Sequence, residues 1–146
     1  MRIDRRKLIA AAPALAVAGT SFGALAAGNP ADVVNLYTKD GKIVIQLRAD
    51  LAPKHIKQIE TLVKRKFYDG IVFHRVIDGF MAQTGDPTGT GMGKSDLPNI
   101  PAEFSKAHFG RGTVGMARSQ NPDSANSQFF ICFGDASFLN GQYTVV

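Results

Sequence analysis

Few side chains of this 146-residue sequence could do chemistry, and most of them stand alone. His55, His74 and His108 lack the close His-x-x-x-His spacing that brings two imidazoles to one metal, so no metal site is expected and His74 reads as a packed strand residue. Cys132 is the only cysteine, which excludes an intramolecular disulfide; within the apolar run Phe129 to Phe133 it reads as a small core residue. The stretch Gly89 to Ser95 ends like a phosphate-binding loop. That pattern needs a glycine at the position held by Thr88, and Pro98 and Pro101 forbid the helix that should follow, so a nucleotide-binding enzyme is a poor reading. What remains is Arg75, a permanently charged and forked donor, with Gln83 and the apolar Phe80, Met81 and Phe130. Taken one at a time, the arginine reads as a surface ion-pair partner and the apolar residues as ordinary core.

The elements that must position these residues are short. Val33 to Thr38 and Lys42 to Arg48 read as strands joined by a turn at Lys39-Asp40-Gly41. In the second, Ile43, Ile45 and Leu47 alternate with Lys42, Gln46 and Arg48, giving one buried and one wet face. Pro53 suits a first helical turn, and Ile56, Ile59, Leu62 and Val63 recur at helical spacing up to about Arg65. The triplet Lys64-Arg65-Lys66 reads as the solvated, dipole-compatible end of that helix. Further strands are predicted at Ile71 to Ile77, Phe80 to Gln83, Thr113 to Met116 and Phe129 to Phe133, which makes the chain mainly antiparallel β. The connection from Thr84 to Gly112 is rich in glycine and proline and reads as an ordered surface loop.

The length allows one domain, and the composition is that of a globular protein. Ahead of the domain, Arg2, Arg5, Arg6 and Lys7 precede an uncharged Ala-, Leu- and Val-rich stretch from Leu8 to Leu25, the layout of a signal peptide. Ala24-Leu25-Ala26 fits a small-x-small cleavage site, so residues 1–26 are expected to be removed and 27–146 to form the domain. The pair Arg5-Arg6 keeps twin-arginine (Tat) export open beside Sec; a retained membrane anchor is the alternative to cleavage. Cleavage removes four of 17 basic and one of 12 acidic residues, leaving a balance near +2 that gives no support to binding nucleic acid or acidic lipid. A periplasmic or secreted monomer is expected.

Residues 73 to 86, Phe-His-Arg-Val-Ile-Asp-Gly-Phe-Met-Ala-Gln-Thr-Gly-Asp, closely resemble the central signature of the cyclophilins, the peptidyl-prolyl cis/trans isomerases. Gly-Thr-Val-Gly-Met-Ala-Arg at 112 to 118, Asn-Ser-Gln-Phe-Phe-Ile at 126 to 131 and Phe138-Leu139-Asn140-Gly141 follow in the family's order and spacing. The resemblance runs from about Val33 to the end. It implies an eight-stranded antiparallel barrel capped by helices, with proline-containing polypeptides bound in a groove on its outside and no cofactor, metal or nucleophile. On this resemblance Arg75 is the catalytic donor and Gln83 steers it; Phe80, Met81, Phe130 and Leu139 wall the proline pocket; Gln128 and the backbone of Ala117 and Arg118 hold the peptide main chain. Phe138 stands where many eukaryotic relatives have tryptophan, which implies weak cyclosporin binding with catalysis retained. Tyr143 takes a place often held by histidine, and Arg118 replaces a frequent asparagine. A family member would continue past Val146 through another strand, a second helix and a closing strand, so the first strand is expected to lack a neighbour and the fragment to be marginal in stability or activity. The other readings are a non-catalytic prolyl-peptide binder or chaperone and an inactive truncated fragment.

Overall fold

The computed structural model describes residues 2–4 and 32–146; the expected leader stretch from Leu8 to Leu25 and its cleavage site lie outside them. Among the described residues the elements run β1 (Arg2–Asp4), β2 (Val33–Thr38), β3 (Gly41–Gln46), α1 (Pro53–Lys64), β4 (Arg75–Ile77), β5 (Met81–Thr84), β6 (Val114–Met116) and β7 (Phe129–Cys132). Two single 3-10 turns lie at Pro122–Ser124 and Ser137–Leu139. Among the described residues the strands form two antiparallel sheets, β1-β2-β3 and β4-β5-β7-β6, and no closed barrel.

The β2–β3 hairpin turns at Lys39-Asp40, with Thr38 paired to Gly41, and Ile45 and Leu47 are buried while Lys42, Val44 and Gln46 face water, as the alternation predicts. The outer edge of β2 is not bare, because Asn35, Leu36 and Tyr37 pair through their backbones with β1. Helix α1 buries Ile56, Ile59, Leu62 and Val63 against β2, β3 and Tyr68 in the larger core, and Lys64, Arg65 and Lys66 are exposed at its end. Its first turn has no cap of its own, since Ala52 offers no side-chain acceptor. Glu103, from the long loop, takes that role by accepting from the backbone N–H groups of Lys54 and His55 at 3.1 Å each.

The strand predicted over Ile71 to Ile77 is shorter than expected. Its ladder partner β5 ends at Thr84, where Gly85 turns the chain away with φ +92°, so residues 71–74 have no strand to pair with. There the Thr84 hydroxyl donates to the carbonyl of Val72 instead. Past Thr84, the last residue of β5, the connection to Gly112 contains no helix or strand, yet it is tied down at several points. Asn126 accepts from the Ser95 backbone N–H and hydroxyl and donates to Leu97 O, Glu103 N–H donates to Thr144 Oγ1, and Asp86 accepts from Thr88 and Gly91. Burial opposes ionisation of the Asp86 carboxylate, but these donors overcome it and hold its pKa at about 2. The buried polar side chains of this stretch, Thr84, Asp86 and Ser95, thus each have a partner, which helps an irregular segment stay ordered.

Candidate active site

One row of residues crosses the four-stranded sheet. Arg75 on β4 lies opposite Gln83 on β5, Gln83 opposite Phe130 on β7, and Phe130 opposite Gly115 on β6. Residues directly opposite in an antiparallel sheet share a face, so the backbone register alone brings together side chains far apart in the chain. Met81, two residues from Gln83, joins the same face, while Phe129, beside Phe130, faces the other way into the larger core. Gly115 has a steric reason, because a Cβ there would sit 2.6 Å from the rings of both Phe109 and Phe130. Its absence lets the two rings stack with centroids 6.0 Å apart, which sets the height of Phe130 above the sheet.

Above this row is an open cleft of about 300 Å³, lined by Arg75, Phe80, Met81, Gln83, Ala117, Arg118, Phe130, Phe138, Leu139 and Tyr143. Ten of the eleven residues singled out from the sequence therefore meet at one place. The floor is apolar and closed, with Met81, Phe130 and Leu139 buried. Phe80 and Phe138 lie against each other with centroids 5.3 Å apart, and Tyr143 meets the Phe130 ring edge-on at 5.8 Å. Arg75 stands exposed at the mouth, its Nη1 3.4 Å from Gln83 Oε1.

Gln128, the eleventh residue, lines an adjoining cleft of about 470 Å³. Its amide is committed internally: Oε1 accepts from Gln83 Nε2 at 2.8 Å, and Nε2 donates to the carbonyls of Gly91 and Gly93 at 3.0 and 2.7 Å. A relay therefore runs from the loop carbonyls through Gln128 and Gln83 to the guanidinium, and it also fixes which way each amide points, since every donor meets an acceptor. The side chain expected to hold a peptide main chain is thus engaged in aiming Gln83.

The family model for cyclophilin type peptidyl-prolyl cis-trans isomerases matches residues 33–146. The chain belongs to that family. A probable peptidyl-prolyl cis-trans isomerase of Brucella suis is 53% identical over 97% of this chain and 78% of its own length. A peptidyl-prolyl cis-trans isomerase of Schizosaccharomyces pombe is 40% identical over 77% of this chain and 74% of its own. The crystal structure of a Cryptosporidium parvum cyclophilin type isomerase, determined in the presence of the dipeptide Ala-Pro, superimposes with a TM-score of 0.74 at 33% identity over 77% of this chain and 75% of that one. By this kinship the chain is a peptidyl-prolyl cis-trans isomerase, and the two sheets and the helix α1 found among the described residues are a cyclophilin-like fold.

Two features of this cyclophilin, one in the cleft and one at the start of α1, were not legible in advance. Arg118 is held by its side chain as well as its backbone: the guanidinium donates to the carbonyls of Gln142 at 2.8 Å and Ser119 at 2.9 Å and lies 4.5 Å from the centre of the Tyr143 ring. It braces Tyr143 as part of the wall. The other is the Glu103–His55 pair, in which His55 is fully buried and its Nδ1 lies 2.6 Å from Glu103 Oε2. Burial pulls the His55 pKa down, and Glu103 only partly offsets this. No spacing rule links residues so far apart; the signal was the helix start at Pro53 without a capping side chain before it.

Proposed function

We propose that Arg75 is the group through which this isomerase accelerates rotation, with the cleft walls holding the proline ring while the preceding carbonyl swings. Amide rotation has a barrier of about 18–20 kcal/mol because the C–N bond has partial double-bond character. Lowering exchange from tens of seconds to about a millisecond requires on the order of 7 kcal/mol. No bond breaks, so the site needs no nucleophile. Half-way through the rotation the prolyl nitrogen loses conjugation and carries a lone pair, and a fixed cation directed at it stabilises that state more than either planar isomer. The observation that carries this reading is the placement of Arg75 directly across the ladder from Gln83, at the mouth of a cleft floored by Met81, Phe130 and Leu139. The Ala-Pro dipeptide used with the Cryptosporidium parvum relative supports a proline-containing peptide as the occupant.

In this reading the substrates are exported polypeptides. Residues 1–26 are a leader removed at Ala24-Leu25-Ala26 after export by Sec or Tat, and the mature protein works as a periplasmic or secreted monomer that assists folding. Cleavage would take β1 away and leave that edge of β2 open. The two sheets are read as parts of an eight-stranded barrel. Phe138, 62% exposed on the cleft wall, gives cyclosporin less ring surface than an indole and implies weak binding. Magnetisation-exchange NMR of an Ala-Pro-containing peptide tests the activity: cross-peaks between cis and trans resonances at catalytic protein concentration support it, and tight binding with exchange at the spontaneous rate leaves only a prolyl-peptide binder. N-terminal sequencing of protein from the periplasmic fraction tests the leader, and a start at Met1 contradicts it.

A further inference from the structure

Charge around the two clefts has one sign. Arg75 and Arg118 line the first, Arg118 and Lys94 line the second, and neither is lined by an aspartate or glutamate. Among the described residues the ion pairs fall elsewhere, at Lys39–Asp40, Arg48–Asp50, His55–Glu103, Arg65–Asp96 and His108–Asp135. The cleft cations are instead held by neutral acceptors. Arg75 faces the Gln83 amide, Lys94 Nζ lies 3.1 Å from Asn99 Oδ1, and Arg118 donates to backbone carbonyls. Such contacts orient a cation without neutralising it. Of the carboxylates close in the chain to the lining segments, Asp86 is 1% exposed and spends its oxygens on Thr88 and Gly91, Asp96 pairs with Arg65 at 3.3 Å, Asp123 accepts from the Ala102 N–H, and Asp78 lies exposed between β4 and β5; none of them lines either cleft.

We infer that the groove selects prolyl peptides with a carboxylate side chain two residues from the proline, and that Arg118 and Lys94 read it. This deepens the reading of the first cleft as the proline site and rests on it. In an extended peptide, side chains at i and i+2 point to the same surface. With the proline ring in the first cleft, the residue two positions away is therefore presented to the second, which meets the first across Gln83, Ala117 and Arg118. A carboxylate there faces two partly exposed cations, and a lysine meets them as like charge.

The test is a set of blocked peptides with one central Ala-Pro, carrying Glu, Gln or Lys two residues before or two residues after the proline, with kcat/KM measured by magnetisation-exchange NMR on the unaltered protein. Glu should exceed Lys by about five- to tenfold at one of the two positions, and the ratio should approach one at 1 M salt, where the screening length falls to about 3 Å. Lys94→Gln and Arg118→Asn should each lower the Glu/Lys ratio. Lys57→Gln, an exposed site on α1, should leave it unchanged and so controls for net charge. Because Lys94 is exposed and its side-chain hydrogen bond goes to Asn99, another exposed residue, its replacement keeps the test open if the Arg118 variant misfolds. Equal rates for all peptides at low salt overturn the charge selectivity while leaving the isomerase reading intact. Failure to accelerate any of them overturns both.

Discussion

Replacing Gln128 with alanine tests whether the relay of amides sets the catalytic geometry. Its Oε1 is the acceptor for Gln83 Nε2 at 2.8 Å, and Gln83 Oε1 is the acceptor facing Arg75 at 3.4 Å. Without Gln128 the Gln83 amide is free to rotate, and the guanidinium loses the partner that aims it. A hydrogen bond to a charged group contributes about 1.5–3 kcal/mol, and an indirect loss through one intervening amide forfeits roughly half of that. Activity, kcat/KM in the exchange assay, should therefore fall by about four- to twelvefold, mostly in kcat. The carbonyls of Gly91 and Gly93 lose their donor as well, but water reaches this half-buried site, so urea unfolding should show a loss of only about 1 kcal/mol. The decisive comparison is a double-mutant cycle. If Gln128 acts through Arg75, Gln128→Ala made on top of Arg75→Ala should change kcat/KM less than twofold. Full additivity of the two losses would refute the relay and return Gln128 to a direct contact with peptide.

Two further substitutions probe the supports of the cleft. Gly115→Ala inserts a methyl 2.6 Å from the rings of Phe109 and Phe130, about 1 Å inside ordinary contact; it should cost about 1–3 kcal/mol in urea unfolding and raise KM by displacing Phe130 from the floor. Glu103→Ala uncaps α1 and strips buried His55 of its Nδ1 partner, with an expected loss of about 2–4 kcal/mol at pH 7.5. The parent protein should also weaken in acid. Burial holds the folded-state pKa of His55 below its unfolded value, so this stability is complete above about pH 6.5 and declines as pH falls. Burial works against ionised Glu103, but its bonds from His55 and Lys54 prevail and lower its pKa too, adding a second loss below about pH 4.5 that Glu103→Ala should lack. Unfolding curves at half-unit steps from pH 4 to 8 check both signs.

The parts legible in the sequence were those with a local signature. Alternating Ile43, Ile45 and Leu47 gave the face of β3, and the spacing of Ile56, Ile59, Leu62 and Val63 gave α1 to within a residue or two. The candidate site was legible because four motif segments named all its residues but Tyr143, although composition alone would have sent Phe130 and Met81 to the core. The structure places both residues in the apolar floor, buried beneath the cleft they line. What could not be read depends on contacts between distant segments. Glu103 as the cap of α1, the early end of β4 where β5 stops, and the capture of Gln128 by two loop carbonyls arise only once the loop has folded over the sheet. Gly115 was recognisable within a motif, but its reason, the close approach of Phe109 and Phe130, is a tertiary fact.

Rotation is accelerated, in this account, by one fixed positive charge rather than by confinement of the proline alone. Arg75 is exposed and hydrogen-bonds through its side chain to Gln83 at 3.4 Å, so its removal should leave the unfolding midpoint nearly unchanged and report on catalysis cleanly. The most direct measurement is the cis/trans exchange rate of an Ala-Pro peptide with the Arg75→Ala protein at matched saturation. A loss of about 100- to 1000-fold in kcat with KM little altered is expected from deleting a donor that acts mainly in the transition state. Exchange as fast as that of the parent protein, in a variant that still binds the peptide, would contradict it.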